Sequence, residues 1–113
     1  MELFLDIHGR QIRLTDDRRQ HLEGTDPEIV GQLDILREPL LEPERIVESR
    51  SDSSVELYYR HYPVTPVTSK FMCAVAKVSG QDAFIIAAYF TDAVKKGSVV
   101  WQRKTEASGT IRR

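Results

Sequence analysis

The sequence predicts an α+β domain in which N-terminal helices pack on an antiparallel sheet of about four strands. Apolar residues recur at helical spacing in the first third of the chain, after a short N-terminal strand. From residue 45 onward the apolar residues alternate or form short runs, as is typical of strands. Helical segments therefore come first and strands follow, which distinguishes an α+β domain from an alternating α/β domain.

The composition fits a single folded domain. A chain of 113 residues with 41% hydrophobic and 29% charged residues can form one modest core. It has no run of about 18 apolar residues that would span a membrane, and its start lacks the pattern of a signal peptide, so we expect a cytoplasmic protein. We assign residues 1–101 to the domain and residues 102–113 to a polar, frayed tail.

The first 24 residues predict a short β-hairpin followed by a helix. Residues 2–7 alternate in hydrophobicity, and residues 11–14 are their expected return partner; whether this hairpin joins the main sheet stays open. Thr15 is a suitable N-cap because its hydroxyl can accept a hydrogen bond from a free amide of the first turn. The helix should run over residues 16–23 and end at Gly24.

A second helix is predicted further along the acidic half of the chain. Pro27 fits its first position, where a missing amide hydrogen costs nothing, and the helix should continue through Arg37. Pro39 should then stop it.

Two hairpins are predicted next. Residues 46–50 and 55–61 are joined through the turn-forming residues SDSS, and residues 71–78 and 83–90 are joined by a turn at 79–82. The second pair is apolar on both faces, which predicts the centre of the sheet. A helical turn at 92–96, ended by Gly97, and a strand at 99–101 complete the domain.

The charges are unevenly distributed. Residues 1–56 contain 7 Lys and Arg against 14 Asp and Glu, or −7, and residues 57–113 contain 9 against 3, or +6, which together give the net charge of −1. A basic half indicates a surface that faces a polyanion, although solvated cations beside strands give the same pattern. The lone cysteine, Cys73, excludes an internal disulfide and is expected to be a small core residue.

Several short segments carry a resemblance to a known group. They are Arg18 and His21 on one helix, then DPE, IVESRSD, YYR, AVAK, AYFTD and KKGSVVW. Over residues 14–101 the chain resembles the phage-type nuclease-fold families of the barnase, EndoU, colicin D and RelE group. The resemblance implies helices against a four-stranded antiparallel sheet and RNA cleavage without a metal or cofactor. It also implies a toxin or a phage or mobile-element effector, with RNA as substrate and an antitoxin or other protein as a partner.

One departure from that pattern affects the expected activity. The family has a second histidine before the Pro-Glu pair, whereas this chain reads HLEGTDPE, with Thr25 and Asp26 in that stretch. The alternative is therefore a catalytically inactive module of the same fold that binds RNA or a protein.

Metal-free RNA cleavage needs proton-transfer groups and cations beside the phosphate. His21 has the side-chain type that exchanges protons near neutral pH, and Thr91 can donate a hydrogen bond to phosphate oxygen. The predicted catalytic set is His21, Arg60, Lys77 and Thr91. Tyr58 and Tyr89 could stack on bases, and Lys95 and Lys96 could bind phosphates, which gives the predicted substrate-binding set Tyr58, Tyr89, Lys95 and Lys96.

Each candidate also has a structural explanation. His21 fits a helix surface, Lys77 fits the protection of a strand end, and one of Tyr58 and Tyr59 should be a core residue because they point to opposite faces. A hairpin with a two- or four-residue loop would place Lys77 and Thr91 on opposite faces, while a three-residue loop or a bulge would place them on the same face. A nuclease site requires the four catalytic candidates in one concave patch; residues scattered over different faces favour the binding module.

Overall fold

A computed structural model describes residues 2–25, 33–62, 70–80 and 82–103 of the chain. These residues form a seven-stranded mixed sheet in the order β1-β2-β6-β5-β4-β3-β7. The strands are β1 (Glu2–Leu5), β2 (Gln11–Leu14), β3 (Arg45–Glu48), β4 (Val55–Tyr62), β5 (Lys70–Ser79), β6 (Asp82–Thr91) and β7 (Ser98–Gln102). The prediction of helices packed on a four-stranded antiparallel sheet is therefore wrong.

The first helix includes Gly24, where it was expected to end, and the described end of the second predicted helix is a 3-10 turn that leads into a short helix. Helix α1 (Asp16–Thr25) follows Thr15, whose Oγ1 accepts the Arg18 amide at 3.2 Å, as predicted for an N-cap. A 3-10 turn (Leu33–Leu36) leads into α2 (Arg37–Leu41). Pro39 lies in the first turn of α2. Backbone amides in the first turn make no hydrogen bond within the helix, so a proline there loses none. The prediction that Pro39 stops a helix is therefore wrong. The predicted helix start at Pro27 lies outside the described residues.

Two additions account for the larger sheet. The N-terminal hairpin joins the main sheet because β2 runs parallel to β6, with Arg13 opposite Phe84. At the other edge β7 pairs antiparallel with β3, with a register shift between Ile46 and Val47. Both pairings join strands that lie far apart in the sequence.

The central hairpin is confirmed. Strands β5 and β6 pair antiparallel from Ser79↔Asp82 to Phe71↔Thr91, and Gly80 in their turn has φ +63°, a conformation that favours glycine. A register shift between Val75 and Ala76 places an extra residue on β6. Because this bulge reverses the alternation, the far half of β6 presents Thr91 on the same face as Lys77.

The sheet separates two cores. On one face, Leu22 of α1 and Leu40 of α2 pack with Tyr58 and Met72; we call this side the helix face. The opposite side carries Leu57, Tyr59, Cys73 and Val75, and we call it the groove face. The described residues 92–97 cross part of the groove face, with Val94 packed on its smaller core.

A buried polar network fastens the N-terminal hairpin to β4. Asp6, only 1% exposed, accepts hydrogen bonds from the Arg10 amide (2.8 Å), Arg10 Nε (2.8 Å) and Tyr58 Oη (2.7 Å). Arg10 Nη2 also donates to Glu56 Oε1 at 2.7 Å. Burial by itself would raise the pKa of Asp6, but the hydrogen bonds from Tyr58 and Arg10 outweigh it and hold that pKa below the ordinary value.

Candidate functional site: a basic groove on the sheet

The groove face is bordered by two segments that lie far apart in the sequence, on either side of residues 55–91. One is the turn at residues 49–54 between β3 and β4, and the other is the segment 92–97 between β6 and β7. They meet because Glu48 pairs with Ser98 across β3 and β7. We call the second segment, which contains Lys95 and Lys96, the lysine loop.

A hydrogen bond to the sheet fixes the path of the lysine loop. The backbone amide of Lys95 donates to Tyr59 Oη at 3.0 Å. At the start of the loop, Thr91 Oγ1 accepts the Ala93 amide (3.3 Å) and donates to the Ala93 carbonyl (3.1 Å). The Thr91 hydroxyl therefore shapes its own turn.

The end of the lysine loop lies against β3. A Cβ added to Gly97 would lie 2.4 Å from the Glu48 carbonyl oxygen and 2.8 Å from Val47 Cγ1. No side chain fits that space without a shift of the backbone. Glycine at this position therefore allows Lys96 to lie beside the turn at residues 49–54.

Two adjoining cavities open between the lysine loop and the turn. The first, of about 540 Å³, has an apolar floor and a basic rim. Its lining residues are Ser49, Arg50, Ser51, Val55, Leu57, Val75, Ala87, Tyr89, Lys95 and Lys96. The second, of about 720 Å³, is lined mainly by polar groups, namely Glu48, Ser49, Arg50, Ser51, Ser53, Lys96, Gly97 and Ser98. Because Ser49, Arg50, Ser51 and Lys96 border both, the two cavities form one groove.

The rim of this groove holds cations without carboxylate partners. Arg50, Lys95 and Lys96 make no ion pair within the described ranges, whereas Arg10, Arg13, Arg37 and Arg60 each lie within 4.0 Å of a carboxylate oxygen. Lys77 is also paired, at 3.4 Å from Asp52 Oδ2. Hydrogen bonds from Ser54 lower the pKa of Asp52, which keeps this carboxylate ionised.

The floor of the groove includes Tyr89, whose hydroxyl lies against a thiol. Tyr89 Oη is buried and finds no nitrogen or oxygen partner among the residues that the structure describes. It lies beside the Cys73 thiol, and burial raises the pKa of both groups, that of Cys73 to about 11. Cys73 is fully buried and protonated at neutral pH, so its prediction as a small core residue is confirmed.

The four predicted catalytic residues are not brought together. His21 is exposed on α1, beside a separate cavity of about 300 Å³, and Arg60 is on the helix face with Nη1 bonded to the Glu42 carbonyl at 2.7 Å. Lys77 and Thr91 share the groove face but lie at opposite ends of the hairpin. Lys77 lies six positions after Phe71, the partner of Thr91, and six positions span roughly 20 Å along a strand.

Three of the four predicted substrate-binding residues do lie together. Tyr89, Lys95 and Lys96 all line the first cavity. Tyr58 is different, because it is fully buried on the helix face and its hydroxyl bonds to Asp6. Its ring has no free surface on which a base could stack.

Sequence reasoning predicted a turn after β3 but did not assign residues 49–54 to the site. Arg50 and the serines beside it are ordinary turn residues, and the sequence pattern gives no reason to join them to Lys96. Only the pairing of β3 with β7 makes them one site. From the segments on which the predicted resemblance rests, Tyr89 of AYFTD and the residues KKGS of KKGSVVW do line the groove.

Among the described residues, no helix is both long and apolar enough to cross a membrane, and no group of His, Cys, Asp and Glu is arranged to hold a metal ion. The chain was compared with protein-family models, with curated proteins and with solved structures, and none of them matches it.

Proposed function

We propose that the protein binds single-stranded RNA in the groove between the lysine loop and the turn at residues 49–54. The observation that carries this proposal is a set of three cations, Arg50, Lys95 and Lys96, which have no carboxylate partner among the described residues and surround an apolar floor that includes Tyr89. We place this binding in the cytoplasm, and a protein partner that covers the groove would block it.

The chemistry of the groove suits a nucleotide better than a simple anion. The apolar floor offers a surface for the faces of a base, and single-stranded RNA exposes its bases for such contacts. Arg50 can donate paired hydrogen bonds to a phosphate, and the two lysines act as point charges. The serine hydroxyls of the second cavity can hydrogen-bond to sugar or phosphate oxygens.

Replacing the rim cations should weaken RNA binding and reduce its salt dependence. For Lys96→Ala we expect the slope of log K against log salt to fall by about 0.7, the value for one phosphate contact in a single strand, and affinity at 0.1 M salt to fall roughly 5-fold. Arg50→Ala should do the same. Fluorescence anisotropy with a labelled 12-nucleotide RNA, titrated at several salt concentrations, measures both quantities.

The matched control removes a cation from the other side of the molecule. Arg19 is exposed on α1, so Arg19→Ala lowers the net charge by the same amount without touching the groove. It should bind RNA like the wild type. Equal losses in Arg19→Ala and Lys96→Ala would show that only net charge matters and would contradict a site in the groove.

A second candidate function is slow, metal-independent RNA cleavage. The observation that favours it is that Tyr89 and residues 95–98, which belong to two of the segments that resemble the nuclease-fold families, line the groove. Lys95, Lys96 and Arg50 would stabilise charge on the phosphate, and RNA would be both ligand and substrate. His21 lies away from this groove, so proton transfer by His21 would require a different substrate position.

His21→Ala should therefore leave any cleavage at the groove unchanged. We expect the wild type and His21→Ala to cleave a labelled RNA at equal rates, with and without EDTA, and Lys96→Ala to cleave more slowly. Gel analysis of the products over time measures this. A large loss of cleavage in His21→Ala alone would move the active site to α1, and intact RNA with every protein would leave only the binding function.

A further inference from the structure

We propose that Tyr59 is a positioning residue for the groove: its hydroxyl holds the lysine loop in the conformation that presents Lys95 and Lys96 to RNA phosphates. This inference rests on the proposed RNA binding. Tyr59 is not expected to touch the ligand, because it is fully buried beneath the loop.

The hydrogen bond between Tyr59 and Lys95 holds the backbone of the lysine loop against the sheet. Tyr59 Oη accepts the backbone amide of Lys95, and not its ammonium group, so the bond fixes the path of the chain while both lysine side chains stay exposed. The Tyr59 ring is held in turn by an edge contact with Phe71, with centroids 6.1 Å apart and planes at 87°. A rigid group in the sheet therefore determines where the loop begins its return to β7.

Such an anchor matters because the rest of the loop is exposed. Ala93, Lys95 and Lys96 are exposed, and Val94 is only partly buried. Ordering an exposed loop when RNA binds would cost conformational entropy, and a loop already held in place avoids that cost. The Tyr59 hydroxyl therefore acts on affinity through Lys95 and Lys96.

Tyr59→Phe removes the hydroxyl and keeps the ring. RNA affinity should fall by about 3- to 10-fold, the range expected for one hydrogen bond. The salt slope should stay at the wild-type value, because both lysines still reach phosphates once RNA is bound. In a Lys95→Ala/Lys96→Ala background, Tyr59→Phe should have no further effect on affinity, because no lysine remains to be positioned.

Tyr62→Phe is the matched control. Tyr62 donates its hydroxyl to Glu38, away from the groove, so the same chemical change there should leave RNA affinity unaltered. Wild-type affinity in Tyr59→Phe would overturn the proposal. So would an equal loss with and without the two lysines, since that result assigns Tyr59 a general structural role.

Hydrogen exchange separates this proposal from the proposed function. Without RNA, the amide of Lys95 should exchange faster in Tyr59→Phe than in the wild type, while amides in the middle of β5 keep their protection. Failure of the wild type to bind RNA would overturn the RNA function even if this exchange result is found. Unchanged exchange of the Lys95 amide would overturn the positioning role even if RNA binds.

Discussion

Asp6→Ala should lower the free energy of unfolding by about 3 to 5 kcal/mol, the range for breaking a buried ion pair from one side. The carboxylate is 1% exposed and accepts bonds from Arg10 and from Tyr58. Its removal leaves the Tyr58 hydroxyl and part of the Arg10 guanidinium without their partner. Urea unfolding followed by the fluorescence of Trp101, the one tryptophan of the chain, measures the change.

An exposed ion pair provides the control. Arg13 and Asp82 lie 2.8 Å apart with side chains 36% and 55% exposed, so Asp82→Asn should cost less than about 1 kcal/mol. A cost for Asp6→Ala as small as that for Asp82→Asn would contradict a buried network that fastens the N-terminal hairpin.

The effect of Asp6→Ala should also depend on pH. The pKa of Asp6 is lower in the folded protein than its ordinary value of 3.8. The unfolded state therefore takes up a proton at higher pH than the folded state does. The lowered pKa adds to the free energy of unfolding. This addition is fully present above pH 3.8 and is lost as the pH falls through the pKa of Asp6 in the folded protein. The difference in stability between wild type and Asp6→Ala should shrink over that window, and a constant difference would contradict it.

The local parts of the sheet could be predicted from the sequence because their partners are adjacent in the chain. The hairpin of β5 and β6 follows from two apolar runs and a turn at Gly80, and its central place follows from apolar residues on both faces. The same reasoning identified β1 and β2 as a hairpin. It could not show that β2 lies parallel to β6, because nothing in the alternation of a strand specifies a distant neighbour.

The prediction of the second helix was wrong for a different reason. Apolar spacing and the prolines predicted a helix that stops at Pro39, but proline fits the first turn of a helix as well as it fits the position after the last. The chain places Pro39 in the first turn of α2, with Pro39 and Leu40 buried. The pattern alone does not distinguish the two positions.

Only one side of the groove, the side that contains the lysine loop, was predicted from the sequence. Tyr89, Lys95 and Lys96 were found because they cluster after an apolar strand, whereas Arg50 comes next to Lys96 through the pairing of β3 with β7. The bulge between Val75 and Ala76 decides which face Thr91 occupies, and a single extra residue on a strand leaves no clear mark in the sequence.

Gly97→Ala should disturb both stability and the groove. The added methyl group would lie 2.4 Å from the Glu48 carbonyl oxygen, which belongs to a paired strand and cannot rotate away. We expect unfolding to become easier by about 1 to 3 kcal/mol, the usual range for overpacking. Since Lys96 precedes this glycine, RNA affinity should fall as well, in the same anisotropy assay that is used for Lys96→Ala.

Gly24→Ala is the matched control, because a Cβ at Gly24 meets nothing within 4 Å and the residue lies in α1. Alanine is preferred over glycine in a helix by roughly 0.5 to 1 kcal/mol, so this variant should be at least as stable as the wild type. Its RNA affinity should not change. If Gly97→Ala proved as stable as Gly24→Ala, the close approach of the lysine loop to β3 would be wrong, and with it the joining of the two cavities through Lys96.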